Sequence, residues 1–235
     1  MNKKISPYSI LCISTLLLCF SLKSAAQTDT LPLYRGAYLG VDIYGIGAHL
    51  LGGDTKSGEL QLDINLRNRY YPIIEAGYAD TKSTSDRGIH YTGEGYYGRI
   101  GLNYRVKHRT PGESHLYVGA RYAISSFTYS LGNIPMEDHL WNTPPINPNM
   151  QDDLWGGSLP VQINQQHATA HWAEFIFGLR AEIWQNLQMG WSIRYKQRLS
   201  NGGHPHAEPI HIPGFGANKK NVFGLTYSLI YKLPL

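Results

Sequence analysis

Cysteine and charge are scarce in this sequence. Its 235 residues include only two cysteines, Cys12 and Cys19, and 16% charged residues. Both cysteines lie within the first 26 residues, so the rest of the chain can form no disulfide and no thiolate metal site. After residue 26 there is no run of roughly 18 apolar residues, which excludes membrane-spanning helices. The formal net charge is +4. Three N-terminal lysines supply most of it, so nothing indicates a surface that binds nucleic acid.

The first 26 residues have the parts of a secretory signal peptide. Lys3 and Lys4 precede an apolar run from Ile10 to Leu22, and the small residues at 24–26 follow it. Small residues before the cleavage point are what signal peptidase requires. A transmembrane helix is the alternative, but the run is shorter than the roughly 20 residues that a bilayer core requires. We therefore expect export, with removal of residues 1–26 before Gln27.

The remaining chain is rich in strict apolar–polar alternation, which is the two-residue period of a strand with one apolar face. The clearest case is residues 59–67, where Leu60, Leu62, Ile64 and Leu66 alternate with polar residues. Seven further segments show the same period, namely 39–43, 74–78, 99–106, 118–125, 174–183, 189–196 and 223–233. The sequence thus predicts eight amphipathic strands.

The connections between these strands alternate in length. They are short after the second, fourth and sixth strands, and long after the others, at about 45–58, 79–95, 126–166 and 200–221. This is the layout of an outer-membrane barrel with short periplasmic turns and long external loops. We therefore predict an all-β fold, an eight-stranded antiparallel up-and-down transmembrane β-barrel over residues 27–235. A soluble lipocalin-like barrel is the alternative, because alternation alone does not say which face points inward.

Three features favour the membrane barrel. The polar faces combine glycine and serine with charges of both signs, which suits a narrow lumen. The apolar faces end in aromatic residues, as at membrane interfaces. The last strand carries a terminal apolar-aromatic pattern that resembles the signal read by the barrel assembly machinery. We expect outer-membrane lipid, the export machinery and the assembly machinery as partners. The predicted charge network of the lumen comprises Glu75, Arg99, Arg121, Glu174, Arg180, Glu182 and Arg194.

The longest connection holds two tryptophans, Trp141 and Trp155. Loops of this length are usually functional or disordered. Exposed tryptophans there would suit a glycan, lipid or protein ligand, and simple packing over the barrel mouth is the alternative. The histidines at 204, 206 and 211 could ligate a metal, but flanking prolines make the local geometry unfavourable. Residues 93–98 match G-x-G-x-x-G but lead into a strand rather than a helix. We expect no metal and no cofactor.

One string has an enzyme-like pattern. Residues 194–202, Arg-Tyr-Lys-Gln-Arg-Leu-Ser-Asn-Gly, resemble a stretch of outer-membrane lipid A deacylases. In that family the serine is the nucleophile, and a histidine two residues earlier is its base. Ser200 matches the serine, but Arg198 occupies the position of the base, and an arginine cannot accept the proton. We therefore predict no catalytic residue, with a lipid A-modifying acyl hydrolase as an alternative.

Most of the chain after the signal peptide resembles an uncharacterised family of eight-stranded outer-membrane barrels from the Bacteroidota. The residues that carry this resemblance are 119–125, 172–174, 178–180, 190–194 and 212–216. The family implies the fold and the location but no activity. The sequence thus predicts a non-enzymatic outer-membrane barrel with a structural or loop-mediated binding role. A small-solute pore is a further alternative, disfavoured because side chains fill a barrel of eight strands.

Overall fold

The computed structural model describes residues 32–43, 45, 47, 52–85, 89–106, 113–134, 161–202 and 208–234. Their strands are β1 (Tyr34–Asp42), β2 (Thr55–Leu66), β3 (Tyr70–Thr84), β4 (His90–Arg105), β5 (His115–Ile134), β6 (Val161–Trp184), β7 (Leu187–Asn201), β8 (His211–Ile212), β9 (Gly216–Ala217) and β10 (Asn221–Lys232). In this part of the chain no helix is long and apolar enough to cross a membrane.

Eight of these strands close into a ring. Its order is β1-β10-β7-β6-β5-β4-β3-β2, and every pairing within it is antiparallel. Strands that follow one another along the chain are neighbours, and β10 pairs with β1 to complete the barrel. The prediction of an eight-stranded antiparallel up-and-down barrel is confirmed. β8 and β9 form a separate small hairpin in the connection from β7 to β10.

Two of the short connections, from β2 to β3 and from β6 to β7, are tight turns with left-handed backbone. Arg67 and Asn68 have φ angles of 52° and 55° in the turn from β2 to β3. Asparagine tolerates this conformation well. The side-chain oxygen of Asn65 also accepts a hydrogen bond from the backbone N–H of Asn68 at 2.9 Å. We call this end of the barrel, which also holds the turn from β6 to β7, the turn end, and the opposite end the loop end.

The strands extend farther toward the loop end than predicted. The connection expected at 79–95 is reduced to 85–89, and the one expected at 126–166 to 135–160. The added strand segments carry polar residues on the outer wall, such as Thr92, Glu94 and Thr128. Alternation of apolar and polar residues therefore fades there although the strand pairing continues. The hydrophobic pattern marked only the apolar band of each strand.

The wall of the barrel is uneven in height. β5 and β6 have 20 and 24 residues, whereas β1 has nine. The pairing of β1 with its neighbours ends where Asp42 meets Glu59 of β2 and Ser228 of β10. β2 and β10 continue beyond this point toward the loop end, over residues 55–58 and 221–227.

The two faces of the wall have opposite character. Two consecutive residues of β4 illustrate the difference. Ile100 points outward and is 60% exposed, whereas Arg99 points inward and is 4% exposed. Within the apolar band the outward set is aliphatic and aromatic, including Leu60, Ile74, Phe175, Ile193 and Leu225. Tyr122, Trp184, Trp191 and Tyr231 are exposed on the same wall. A soluble barrel would place its apolar residues inside, so the structure decides between the two alternatives that alternation left open.

Candidate functional site

The centre of the lumen is a cluster of buried charges around Glu75. Its carboxylate accepts hydrogen bonds from Arg194 at 2.7 Å, Arg99 at 3.1 Å and Arg121 at 3.3 Å. The Glu75 side chain is fully shielded from solvent. Arg194 lies on β7 and Glu75 on β3, which stand on opposite sides of the eight-stranded ring. The bond between them therefore crosses the full width of the lumen.

Two further carboxylates complete this central cluster. Glu174 pairs with Arg99 at 2.9 Å and Arg194 at 3.3 Å, and it accepts a hydrogen bond from the Trp172 indole at 2.6 Å. Glu59 accepts hydrogen bonds from Arg99 and, at 3.5 Å, from Arg194. Each guanidinium is thus shared among several carboxylates. In a site of low dielectric, such sharing offsets the desolvation of the ions.

A second charge pair lies closer to the turn end. Arg180 donates two parallel hydrogen bonds to Asp63, both of 2.8 Å. This fork-to-carboxylate geometry is the strong form of an ion pair. The rings of Tyr38, Tyr71 and Tyr117 surround the guanidinium, with centroids 5.6–5.8 Å away. Because β6 and β2 are also opposite strands of the ring, this pair crosses the lumen at another level.

Glu113 bridges the lumen at the turn end itself. This residue precedes β5, and its carboxylate accepts hydrogen bonds from Lys232 at 2.7 Å and Tyr38 at 2.9 Å. Both donors come from the other side of the ring, on β10 and β1. Burial raises the pKa of Glu113, but the hydrogen bonds from Lys232 and Tyr38 lower it more, so its pKa lies below the usual range.

This bridge predicts a component of stability that is lost in acid. Because the pKa of Glu113 is lower in the folded than in the unfolded state, its contribution is complete above the unfolded pKa of about 4.5 and disappears as pH falls through the folded pKa. We expect Glu113→Gln to lower the denaturation midpoint at pH 7 and to converge with the wild type below that range. Glu182→Gln, an exposed carboxylate at the same end, is the control. Parallel pH profiles for Glu113→Gln and wild type would contradict the bridge.

The β8–β9 hairpin, residues 211–217, folds into the loop end of the lumen, and we call it the plug. Its Ile212 and Phe215 are buried inside the barrel, and Phe215 packs edge-on against Trp172 with ring centroids 5.6 Å apart. Lys196 donates to the carbonyl oxygens of Gly214 and Phe215, at 2.7 and 3.2 Å. Arg99 of the central cluster also donates to the carbonyl of Gly214 at 2.8 Å.

The plug depends on two local features. Gly214 has a φ of +77°, and a Cβ at this position would lie 2.5 Å from the Tyr97 ring, so only glycine fits the tip. His211 is held by the wall, since Tyr91 donates to its carbonyl oxygen at 2.6 Å. Burial, with a smaller effect from the charge of Lys196, lowers the pKa of His211 to about 4. The histidine is therefore neutral at pH 7 inside the barrel mouth.

The structure brings most of the predicted network residues together. Glu75, Arg99, Arg121, Glu174 and Arg194 share the central cluster, and Arg180 lies in the lumen at the level of Asp63.

Glu182 does not join them, and its expected pairing in the lumen is wrong. Glu182 lies near the end of β6, just before the β6–β7 turn, and its side chain is exposed to solvent there.

Sequence reasoning missed Glu59, Asp63, Lys196 and Glu113. The first three lay on polar strand faces, in phase with the predicted network, and strand phase could have found them. Glu113 carried no such signal, because it lies in a turn. Trp141, Trp155, His204 and His206 lie outside the described residues. Within the described part of the chain no cluster of three metal-ligating side chains occurs.

The serine of the enzyme-like segment lies on the outer wall near the loop end, whereas Arg194 and Lys196 of the same segment face the lumen. Ser200 is exposed and is paired in register with His171 on β6. The Nδ1 atom of His171 lies 3.0 Å from the hydroxyl oxygen of Tyr122. Arg198 is half-buried. A histidine is thus supplied beside Ser200, but by the neighbouring strand rather than by the same one.

A closed antiparallel ring with an apolar outer wall and a charged, filled interior defines a class of protein, the barrels built like those that span membranes. Residues 4–235 match DUF6048, a domain of unknown function, and the chain belongs to this family. The predicted resemblance to an uncharacterised family is confirmed, whereas the Bacteroidota origin and the deacylase likeness stay predictions.

No match was found among curated proteins. Among solved structures the chain is similar to the crystal structure of Neisserial surface protein A (NspA), with 13% sequence identity and a TM-score of 0.47. The similarity covers 85% of this chain and 99% of that one.

Proposed function

We propose that this protein is an integral outer-membrane β-barrel with a sealed lumen and a non-enzymatic role, either structural or through ligands bound at its long connections. The observation that carries the proposal is that the apolar residues lie on the outside of the barrel and the charged residues lie inside, the reverse of a soluble barrel. An outer wall of exposed Ile100, Phe175 and Leu225 is costly in water and stable in hydrocarbon. The charges that a soluble barrel would expose are instead paired in the interior.

The lumen argues against a small-solute pore. Moving from the turn end, a solute would meet the Glu113 bridge, then the Arg180–Asp63 pair, then the central cluster. The plug enters the lumen beyond these layers, with Phe215 and Ile212 buried in it. Each layer joins groups from opposite sides of the ring. Support for a continuous channel is therefore lacking in the described residues, and we place the binding role outside the barrel.

The remaining parts of the proposal concern export and ligands. Residues 1–26 serve as the cleaved signal peptide, and the barrel assembly machinery inserts the chain. Outer-membrane lipid contacts the apolar wall. The connection between β5 and β6, which contains Trp141 and Trp155, is external and presents a surface for a glycan or protein.

The experiment that tests this proposal is surface labelling of intact cells. A peptide tag inserted at Asn149, in the β5–β6 connection, should bind antibody on intact cells. A tag at Gly112, in the β4–β5 connection, should bind it only after the envelope is opened, because the two connections lie at opposite ends of the barrel. Both tagged proteins should fractionate with the outer membrane. The reverse labelling pattern, or release of the protein in soluble form, would overturn the proposal.

The second candidate, a lipid A-modifying acyl hydrolase, is favoured by one observation, the pairing of exposed Ser200 with His171 on the outer wall. A serine nucleophile needs a base within reach, and His171 is the side chain that the fold offers. Under our proposal, mass spectrometry of lipid A should give the same acylation in cells that express the wild type or Ser200→Ala. Loss of an acyl chain with the wild type alone would replace the proposed role with the hydrolase.

A further inference from the structure

The guanidinium of Arg69 lies on the outer wall at the turn end. Arg69 is the last residue of the β2–β3 turn, and its carbonyl oxygen accepts a hydrogen bond from the backbone N–H of Arg105 at 2.9 Å. The guanidinium carbon lies 5.3 Å from the ring centroid of Tyr70 and 5.1 Å from that of Tyr104. These tyrosines are paired in register on β3 and β4, and Tyr104 has the phase of the outward-facing Ile100. The cation is therefore held on the outside of the barrel, against two aromatic rings.

This guanidinium has no anionic partner among the described residues. None of the ion pairs found there includes Arg69. Its Nε atom is shielded from solvent and has no hydrogen-bond partner within the described part of the chain. An aromatic face attracts a cation, but it offers no oxygen to the five N–H donors of an arginine. An anion with oxygen acceptors would complete the site.

The connections at this side of the turn end are basic. In the sequence, the β2–β3 connection contains Arg67 and Arg69 and no acid. The β4–β5 connection contains Lys107 and Arg109, which lie outside the described residues, and one acid, Glu113. The carboxylate of Glu113 already accepts hydrogen bonds in the bridge across the lumen. Neither connection therefore has a carboxylate to spare for Arg69.

The longest loop-end connection has the opposite charge. Between β5 and β6 the sequence contains Glu137, Asp138, Asp152 and Asp153, and no lysine or arginine. The charges of these connections thus differ in sign between the two ends of the barrel. An acidic partner is favoured at the turn end.

The outer wall next to Arg69 is apolar toward the middle of the barrel. Ile64 on β2 and Leu102 and Ile100 on β4 are exposed on this side, and Pro72 of β3 is paired with Leu102. From the turn end inward, the wall therefore presents a cation, then two aromatic rings, then aliphatic side chains. A phospholipid has the same order, with an anionic headgroup at the interface and acyl chains below it.

We propose that Arg69, supported by Tyr70 and Tyr104, binds the phosphate of an acidic phospholipid in the leaflet at the turn end. The planar fork of a guanidinium matches two phosphate oxygens, and the basic connections favour a headgroup with a net negative charge. The proposal rests on the proposed function, because only a membrane-inserted barrel presents this wall to lipid. It adds a preferred lipid and a defined site to the general contact of lipid with the wall.

The test is native mass spectrometry of the folded protein, released from micelles that contain equal amounts of phosphatidylglycerol and phosphatidylcholine with the same acyl chains. We expect the wild type to retain phosphatidylglycerol in preference to phosphatidylcholine. Arg69→Met should reduce this preference about tenfold, the effect of losing one hydrogen bond to a charged group. Arg69→Lys keeps the charge but not the planar fork, so its preference should fall between the two.

Lys82→Met is the matched control, because it removes one exposed cation from β3 near the loop end. It should keep the wild-type preference. A heat-modifiable gel shift reports folding of every variant. Equal preference in the wild type and either Arg69 variant, or an equal loss in Lys82→Met and Arg69→Met, would overturn the inference. A wild-type chain that fails to fold in micelles and in vesicles contradicts the proposed function, whereas one that folds and retains both lipids alike contradicts the acidic phospholipid alone.

Discussion

Replacing Glu75 with glutamine is expected to destabilise the barrel by about 3–5 kcal/mol, the cost of breaking a buried ion pair. The substitution keeps the shape of the side chain and removes the negative charge that three guanidiniums share. Glu59 and Glu174 would remain for Arg99 and Arg194, but Arg121 has its described ion pair only with Glu75. Equilibrium unfolding in denaturant, with the protein in lipid vesicles, measures the change.

Glu94→Gln is the matched control for this experiment. Glu94 is exposed on the outer wall of β4, where it accepts a hydrogen bond from the hydroxyl of Tyr78 at 2.8 Å. The same chemical change there should leave the unfolding midpoint unaltered, because solvent screens exposed charges. If the two variants unfold alike, the central cluster does not stabilise the barrel.

Arginine at Ile100 should cost about 2–4 kcal/mol, the value for a charge near the bilayer midplane on a lipid-facing strand. Ile100 is 60% exposed on the outer wall and follows Arg99 on β4, so it lies at the level of the central cluster, within the apolar band of the strand. Thr92, eight residues nearer the loop end on the same wall, provides the comparison. Arginine there should cost only about 0–1 kcal/mol, because the penalty falls toward the interface.

Unfolding of both variants in vesicles, read by the heat-modifiable gel shift and by tryptophan fluorescence, checks this depth dependence. A soluble barrel with an apolar coat would show no difference between the two positions. Equal costs for Ile100→Arg and Thr92→Arg would therefore count against the membrane position, whatever their size.

Strand phase explains how much of this structure could be predicted from the sequence. Alternation in residues 59–67 located one face of β2, and the same period located the other strands. The alternating lengths of the connections predicted their up-and-down order. The phase of Glu75, Arg99 and Glu174 placed them inside, because polar residues share the face opposite the aliphatic ones. A narrow closed lumen then brings opposite strands within reach of a long side chain, which strand phase alone does not reveal.

What could not be predicted lacks a periodic signal. The plug contains Ile212 and Phe215 in a connection rich in glycine and proline, where isolated apolar residues do not specify a fold. Its position follows from Lys196 and Arg99 on its carbonyl groups, and these contacts are distant in sequence. Glu182 illustrates the opposite error. Glu182 alternates in step with the inward-facing residues of β6. It lies so near the end of that strand, however, that the barrel does not enclose its side chain.

The distribution of charges along the chain has a consequence for assembly. Every member of the central cluster lies on β2, β3, β4, β5, β6 or β7, and so do both members of the Arg180–Asp63 pair. The two strands that meet to seal the ring, β1 and β10, contribute none of them. A curled sheet of six strands can therefore neutralise its own ions during biogenesis, before the seam between the first and last strands forms. The seam is then joined by the backbone pairing of β1 with β10 and involves no member of either charge group.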